Sequence, residues 1–206
     1  MTEAERPQIY LISPPEFELS TFPETLARVL DSIEVACVRL ALSSRDEAHI
    51  ARAADALREV THARDIALVI EEHVMLVERL GLDGVHLGDG ARSVRRVRKT
   101  LGKDAIIGAW CGNSRHDGMN AGEAGADYVS FGPVGQTALG DGRIAEADLF
   151  AWWSEMIEVP VVAEGGLDQD LIAKLWPVTD FFGVGAEVWD RDDPVQALGA
   201  LISAMG

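Results

Sequence analysis

Eight short runs rich in Val and Ile recur about every 20 to 25 residues, and this spacing constrains the fold more than any other feature of the chain. They are IYLIS (9–13), VACVRL (35–40), IALVI (66–70), GVHL (84–87), AIIGAW (105–110), YVSFG (128–132), VPVVAEG (159–165) and FFGVGAEV (181–188). Between most of them the apolar residues fall at helical spacing. In RDEAHIARAADALREV, for example, Ile50, Ala53, Ala54, Leu57 and Val60 form one stripe.

Parallel strands need such crossovers, and strands that are apolar on both faces need helices to cover them. Eight strand and helix units predict a (β/α)8 barrel, with a doubly wound open sheet as the alternative. A chain of 206 residues holds one sizeable core, and no linker rich in Pro, Gly or Ser divides it, so residues 1–206 read as a single domain. The longest irregular stretch, GPVGQTALGDGRI at 132–144, follows the sixth run. In a barrel that is the catalytic face, which makes it a candidate lid or substrate loop.

Charge narrows the partners. With 34 Asp and Glu against 18 Lys and Arg, the formal charge is -16, and such a surface repels phosphate backbones. No nucleic-acid partner is expected; the basic stretch ARSVRRVRK reads as the outward face of a helix. Cys37 and Cys111 lie in or beside strand-like runs, which suits free thiols in a reducing compartment. No run approaches the ~18 apolar residues of a membrane span, and no leader pattern opens the chain. A cytoplasmic protein without a membrane partner is expected, with a homodimer through the outer helices left open.

Barrel chemistry is built where strands hand over to their following loops. At those positions stand Arg39, Glu71, Glu72, His73, His86, Asp89, Trp110, Glu164 and Glu187. The strongest signal is for phosphate: Gly165 and Gly166 follow the seventh run, and Gly185 and Ala186 the eighth, where small residues let backbone amides approach an anion. Relief of crowding in the barrel neck is the competing reading. Glu72 and Asp89 are oxygen ligands suited to Mg2+, against which stands a simpler arrangement: one of Glu71 and Glu72 solvated, the other paired with Arg39. His86 in DGVHLG is either a buried, hydrogen-bonded imidazole or a general base. His116 is placed at the start of the fifth helix, and Trp152 and Trp153 are placed on the sixth, packed against the barrel.

The ordered set IYLIS, LVIEEH, GLDGVHLGDG, AGADYVSFGPVGQT and VPVVAEGGL resembles the thiamine phosphate synthase family, including its TenI-like tautomerase branch, over nearly the whole chain from Ile9 to about Val188. The resemblance implies a (β/α)8 barrel that joins a pyrimidine pyrophosphate to a thiazole phosphate with Mg2+ and releases pyrophosphate. It further implies Glu72, with or without Asp89, as the metal carboxylate, Thr137 as a pyrophosphate contact, and Gly165 and Gly166 as thiazole phosphate ligands. Departures are numerous. The family's Arg and Lys after the second strand look like Ala41 and Ser43, its second metal carboxylate like Ala91, and its strand-five serine like Trp110. Of its TxTK signature, Thr137 is kept, while Leu139 and Gly140 replace the second Thr and the Lys. The tautomerase histidine falls near Gly112, and the phosphate-binding serine looks like Val188.

Each buried charged contact to a phosphoryl group is commonly worth roughly 2 to 5 kcal/mol, so these losses argue against pyrophosphate displacement by the family's usual residues. Three functions follow: a thiamine phosphate synthase-like transferase, a non-catalytic binder of a small phosphorylated metabolite, and an isomerase or lyase using Glu71, Glu164, Glu187 or His86.

Overall fold

In the computed structural model, which describes residues 6–137 and 142–206, the eight runs form parallel strands that close into a barrel in sequence order. The strands are β1 (Gln8–Ile12), β2 (Cys37–Leu40), β3 (Ala67–Glu71), β4 (Gly84–Leu87), β5 (Ile106–Trp110), β6 (Tyr128–Phe131), β7 (Val161–Glu164) and β8 (Phe181–Val184). Parallel pairing of β1 with β8 closes the ring, which rules out the open sheet. The crossover helices are α1 (Phe22–Ser32), α2 (Glu47–His62), α3 (Val74–Leu80), α4 (Val94–Leu101), α5 (Arg115–Ala124), α6 (Ala147–Met156) and α7 (Gln169–Leu175). Two helices, α8 (Ala186–Trp189) and α9 (Pro194–Ile202), follow β8. Of the loop at 132–144, residues 138–141, including Leu139 and Gly140, lie outside the described residues.

Local chemistry starts several helices. Asp46 accepts hydrogen bonds from the amides of Ala48 and His49 before α2, Ser114 from Asp117 before α5, and Asp168 from Leu171 before α7. Each supplies an acceptor to otherwise orphaned helix N–H groups. The stripe of α2 is buried at Ile50, Ala53, Ala54 and Leu57; Val60 sits at its edge, and Thr61 takes the fully buried place.

Strand alternation sorts the core into two parts. Outward-facing Leu11, Val38, Leu68, Val85, Ile107, Val129, Phe131 and Phe182 meet the helix stripes, and Trp153 of α6 packs edge-on against Phe131. Inward-facing Tyr10, Cys37, Val69, Tyr128 and Val162 fill the barrel itself. At Gly108 the ring of Tyr128 occupies the space a β-carbon would need, so the position takes glycine.

The eighth run ends earlier than its composition predicts. Hydrogen bonding stops at Val184, Gly185 turns the chain, and Trp189 Nε1–H donates to Ile12 O at 2.6 Å, anchoring α8 over the mouth. Glu187 is therefore a helix residue folded back toward the strand ends, not a strand terminus.

Candidate functional site

Inside the barrel a polar cluster is continuous with the inward-facing core through Tyr10 and Tyr128. Arg39 Nη2 of β2 lies 3.0 Å from Glu164 Oε2 of β7, and both side chains are buried. Arg39 was expected to pair with Glu71 or Glu72 on the adjacent strand. Closure of the barrel instead brings β7 across from β2, and Glu164 takes the partner's place. Arg39 Nε and Nη1 have no hydrogen-bond partner among the described residues, so the contact is an ion pair without bidentate alignment. Burial pushes the Glu164 pKa up, Arg39 opposes it, and Glu71 and Glu187 add to the rise. Burial acts to lower the Arg39 pKa, yet Glu164 leads the groups that raise it overall, and the guanidinium stays charged.

Three rings complete the cluster. Tyr10 and Tyr128 share a hydroxyl hydrogen bond at 2.5 Å, and His86 Nδ1 is 2.9 Å from the Tyr128 hydroxyl. Arg39 lies 5.7 Å above the Tyr10 ring. His86 is 1% exposed, and burial, then Arg39, holds its pKa well below the usual imidazole range. Its ring is neutral at physiological pH and faces tyrosine rather than solvent. Ser130 Oγ, also buried, has no hydrogen-bond partner among the described residues.

The glycines at the ends of β7 and β8 form an amide nest. Gly165 and Gly166 hold φ at 87° and 72°, a conformation that favours glycine and turns successive N–H groups the same way. The Gly166 and Leu167 amides donate to Glu187 Oε1 at 2.9 and 3.1 Å, and the Gly185 amide donates to Glu187 Oε2 at 2.9 Å. Ala186 opens α8 beside them, exposed.

Glu72 and Asp89 belong to neighbouring loops. Glu72, in the left-handed region at φ 65°, accepts from the Gly88 amide through Oε1 at 2.6 Å, which places its carboxylate beside the Asp89 segment. Asp89 Oδ2 accepts from Ser93 Oγ at 2.7 Å. Among the described residues no group of three or more His, Cys, Asp or Glu is arranged to hold a metal ion. Mg2+ commonly uses one or two carboxylates and completes its shell with water and substrate phosphate. Two oxygen donors on adjoining loops fit that mode, and do not fit an all-protein cage.

Two cavities open near the strand ends. One of about 830 Å³ lies over the loops after β1 and β2; it includes Ser43 and is flanked by Glu16, Glu18 and His49, with no Lys or Arg among its described lining residues. The other, about 610 Å³, lies between the loops after β4 and β5 and is lined by Asp89, Arg92, Trp110, Asp117 and Arg143 among others. Only the second combines guanidinium groups with a candidate metal carboxylate. Trp110, half-buried, forms one wall. Thr137 is exposed on the loop after β6. His116 sits near the start of α5, exposed, with Nε2 3.0 Å from Asn120 Nδ2.

Sequence reasoning assigned Arg92, within ARSVRRVRK, to the outward face of a helix, whereas α4 starts at Val94 and Arg92 lines the cavity from the loop before it; Arg143 was passed over. It also passed over Tyr10 and Tyr128. The signal for the tyrosines was available: both share strand parity with inward-facing residues.

A closed (β/α)8 barrel with titratable groups and an amide nest at its strand ends defines a protein of the barrel class whose members build their sites at the C-terminal face of the strands. Residues 9–185 match the family described as thiamine monophosphate synthase, and the chain belongs to that family. It is 41% identical to the thiamine-phosphate synthase of Rhodospirillum centenum over 186 residues, 89% of this chain and 90% of that one. It is 39% identical to the thiamine-phosphate synthase of Erythrobacter litoralis over 213 aligned positions, covering 99% of this chain and 100% of the relative. The solved thiamine phosphate pyrophosphorylase from Pyrococcus furiosus superposes with a TM-score of 0.83 at 22% identity, over 96% of this chain and 95% of that one, a likeness of fold.

Proposed function

We infer that this protein is a transferase that displaces pyrophosphate from a pyrimidine pyrophosphate and joins the pyrimidine to a thiazole phosphate, with its cationic contacts moved to new positions. The observation that carries this reading is the 610 Å³ cavity in which Asp89, Arg92 and Arg143 meet at the C-terminal face of the barrel. The corresponding positions after β2, Ala41 and Ser43, carry no charge.

In the reaction the methylene C–O bond breaks and its electron pair leaves with pyrophosphate. The thiazole nitrogen lone pair then forms the new C–N bond, and the resulting quaternary nitrogen has no proton to lose. Arg92 and Arg143 supply positive charge where the leaving group develops negative charge. Glu72 and Asp89 would hold Mg2+, which when bound offsets the charge of the departing pyrophosphate. Thr137 supplies a hydroxyl from the loop after β6, and Trp110 walls the pocket against water.

A second reading, a binder without turnover, is favoured by one observation: the expected phosphate nest is engaged by Glu187. Incubation with the pyrimidine pyrophosphate, the thiazole phosphate and Mg2+, followed by mass spectrometry, separates the two. Coupled product above an E72A control supports the transferase; ligand binding without product supports the binder.

The buried free thiols Cys37 and Cys111 support placement in the reducing cytoplasm. No helix among the described residues is long and apolar enough to cross a membrane. A homodimer through the outer helices belongs to the same reading and is checked by light scattering.

A further inference from the structure

Among the described residues lining the 610 Å³ cavity between the loops after β4 and β5, Trp110 is the aromatic one. It ends β5 two residues after Gly108 and shares that position's inward parity, in register with Ser130 of β6. Its ring reaches across to the next strand: Cη2 lies 3.0 Å from where a β-carbon on Gly132 would stand. The ring carries no matching charge. Trp152 has Arg115 over it at 4.9 Å, and Trp153 and Trp189 pack edge-on against Phe131 and Phe22. No guanidinium or second ring stands over Trp110 among the described residues.

The coupling chemistry creates a charge for it. Breaking the methylene C–O bond sends the electron pair to pyrophosphate and leaves one positive charge on the pyrimidine methylene. Attack by the thiazole nitrogen moves that charge one bond further, onto the thiazolium, with no proton lost. Arg92 and Arg143 line the same cavity and suit the departing anion, but they repel this cation. Asp89 and Asp117 attract it, yet a carboxylate oxygen in contact with the methylene would capture it as an ester. An indole face attracts a cation through its quadrupole, and does so most strongly where water is excluded. The attraction extends ~6 Å from the ring centroid, so one ring serves both positions of the charge.

Resting on the pyrophosphate-displacing reading above, we propose that Trp110 is a further catalytic residue: its indole face stabilises the positive charge as it passes from the pyrimidine methylene to the thiazolium. The arginines serve the leaving anion, and Trp110 serves the cation left behind.

A charge-only comparison on the full chain tests this. Calorimetry measures binding of thiamine phosphate, whose thiazolium is positive, and of its thiophene isostere, which has the same shape and no ring charge. Wild type should prefer the cation by about tenfold, W110F should keep part of that preference, and W110L should lose it with isostere binding little changed. Where W110L does not fold, wild type grown with fluorinated tryptophans decides: each added fluorine weakens the quadrupole at nearly constant shape, and the preference should fall in step. A preference that persists in W110L or is indifferent to fluorine comes from the carboxylates and overturns the assignment. Equal binding of both ligands by wild type overturns it as well, and in either case the transferase reading stands. If wild type binds neither ligand, the transferase reading fails and the role given to Trp110 falls with it.

Discussion

Arg39 and Glu164 meet at 3.0 Å across the barrel interior, from β2 and β7, with the strands β1 and β8 between them in the ring. Neither is exposed enough to share its charge with water, so each depends on the other. Truncating one partner should therefore cost more than the pair contributes. R39M or E164M alone is expected to lose about 3 to 5 kcal/mol in urea unfolding, and R39M/E164M together should recover most of that loss. Additive losses in the double variant would show that the two side chains act independently.

Acid should weaken the fold through His86. Its pKa is depressed in the folded chain by burial and by Arg39, while the unfolded imidazole titrates near 6.5. The contribution is fully present above pH 6.5 and is lost as pH falls from there toward the folded value. The slope approaches about 1.4 kcal/mol per pH unit for one proton. Glu164 has the opposite sign, since its raised pKa contributes stability below its usual 4.5 that is lost as pH rises. H86Q should flatten the fall in stability below pH 6.5 in chemical denaturation series; an unchanged slope would assign the proton uptake to other groups.

Charge at the second cavity should govern pyrophosphate affinity. R92A and R143A are each expected to weaken Mg-pyrophosphate binding by about 10- to 100-fold, as loss of a charge-assisted contact does. Added salt should shrink the difference, because both side chains reach toward solvent. R95A, on the exposed face of α4, serves as the control and should bind as wild type does.

Metal affinity should follow Glu72. E72A removes a carboxylate that also braces the loop of Asp89 through the Gly88 amide. Binding of Mn2+ in the presence of pyrophosphate, read by water proton relaxation, should fall by at least about tenfold, since loss of even an outer-shell partner has that effect. Equal Mn2+ affinity in E72A and wild type would remove Glu72 from the metal site.

The two thiols should be inert while the chain is folded. Burial pushes the pKa of both Cys37 and Cys111 up to about 12. Reaction with a thiol reagent at pH 8 should be slower than in denaturant by about 10³-fold or more, tracking the rare opened chain. Fast modification of either cysteine in the native protein would contradict its burial.

The barrel was legible in the sequence because strand and helix alternation is a local signal. Val- and Ile-rich runs at even spacing require covering helices, and only closure satisfies eight of them without leaving edges. Tyr10, Tyr128 and Gly108 were legible in principle, through strand parity, once the register was known. The partner of Arg39 was not. Sequence proximity pointed to Glu71 and Glu72 on the next strand, whereas closing the ring set β7 opposite β2 and made Glu164 the nearer charge. Glu187 shows the same limit: GVGAE announces an anion nest, but only the turn at Gly185 and the anchoring of Trp189 fold the chain's own carboxylate into it. What the sequence determined by itself was periodicity, and so the elements and the faces they bury. Which charges neutralise one another was decided by tertiary structure, because electrostatic pairing depends on distance through the barrel, and that distance exists only after closure.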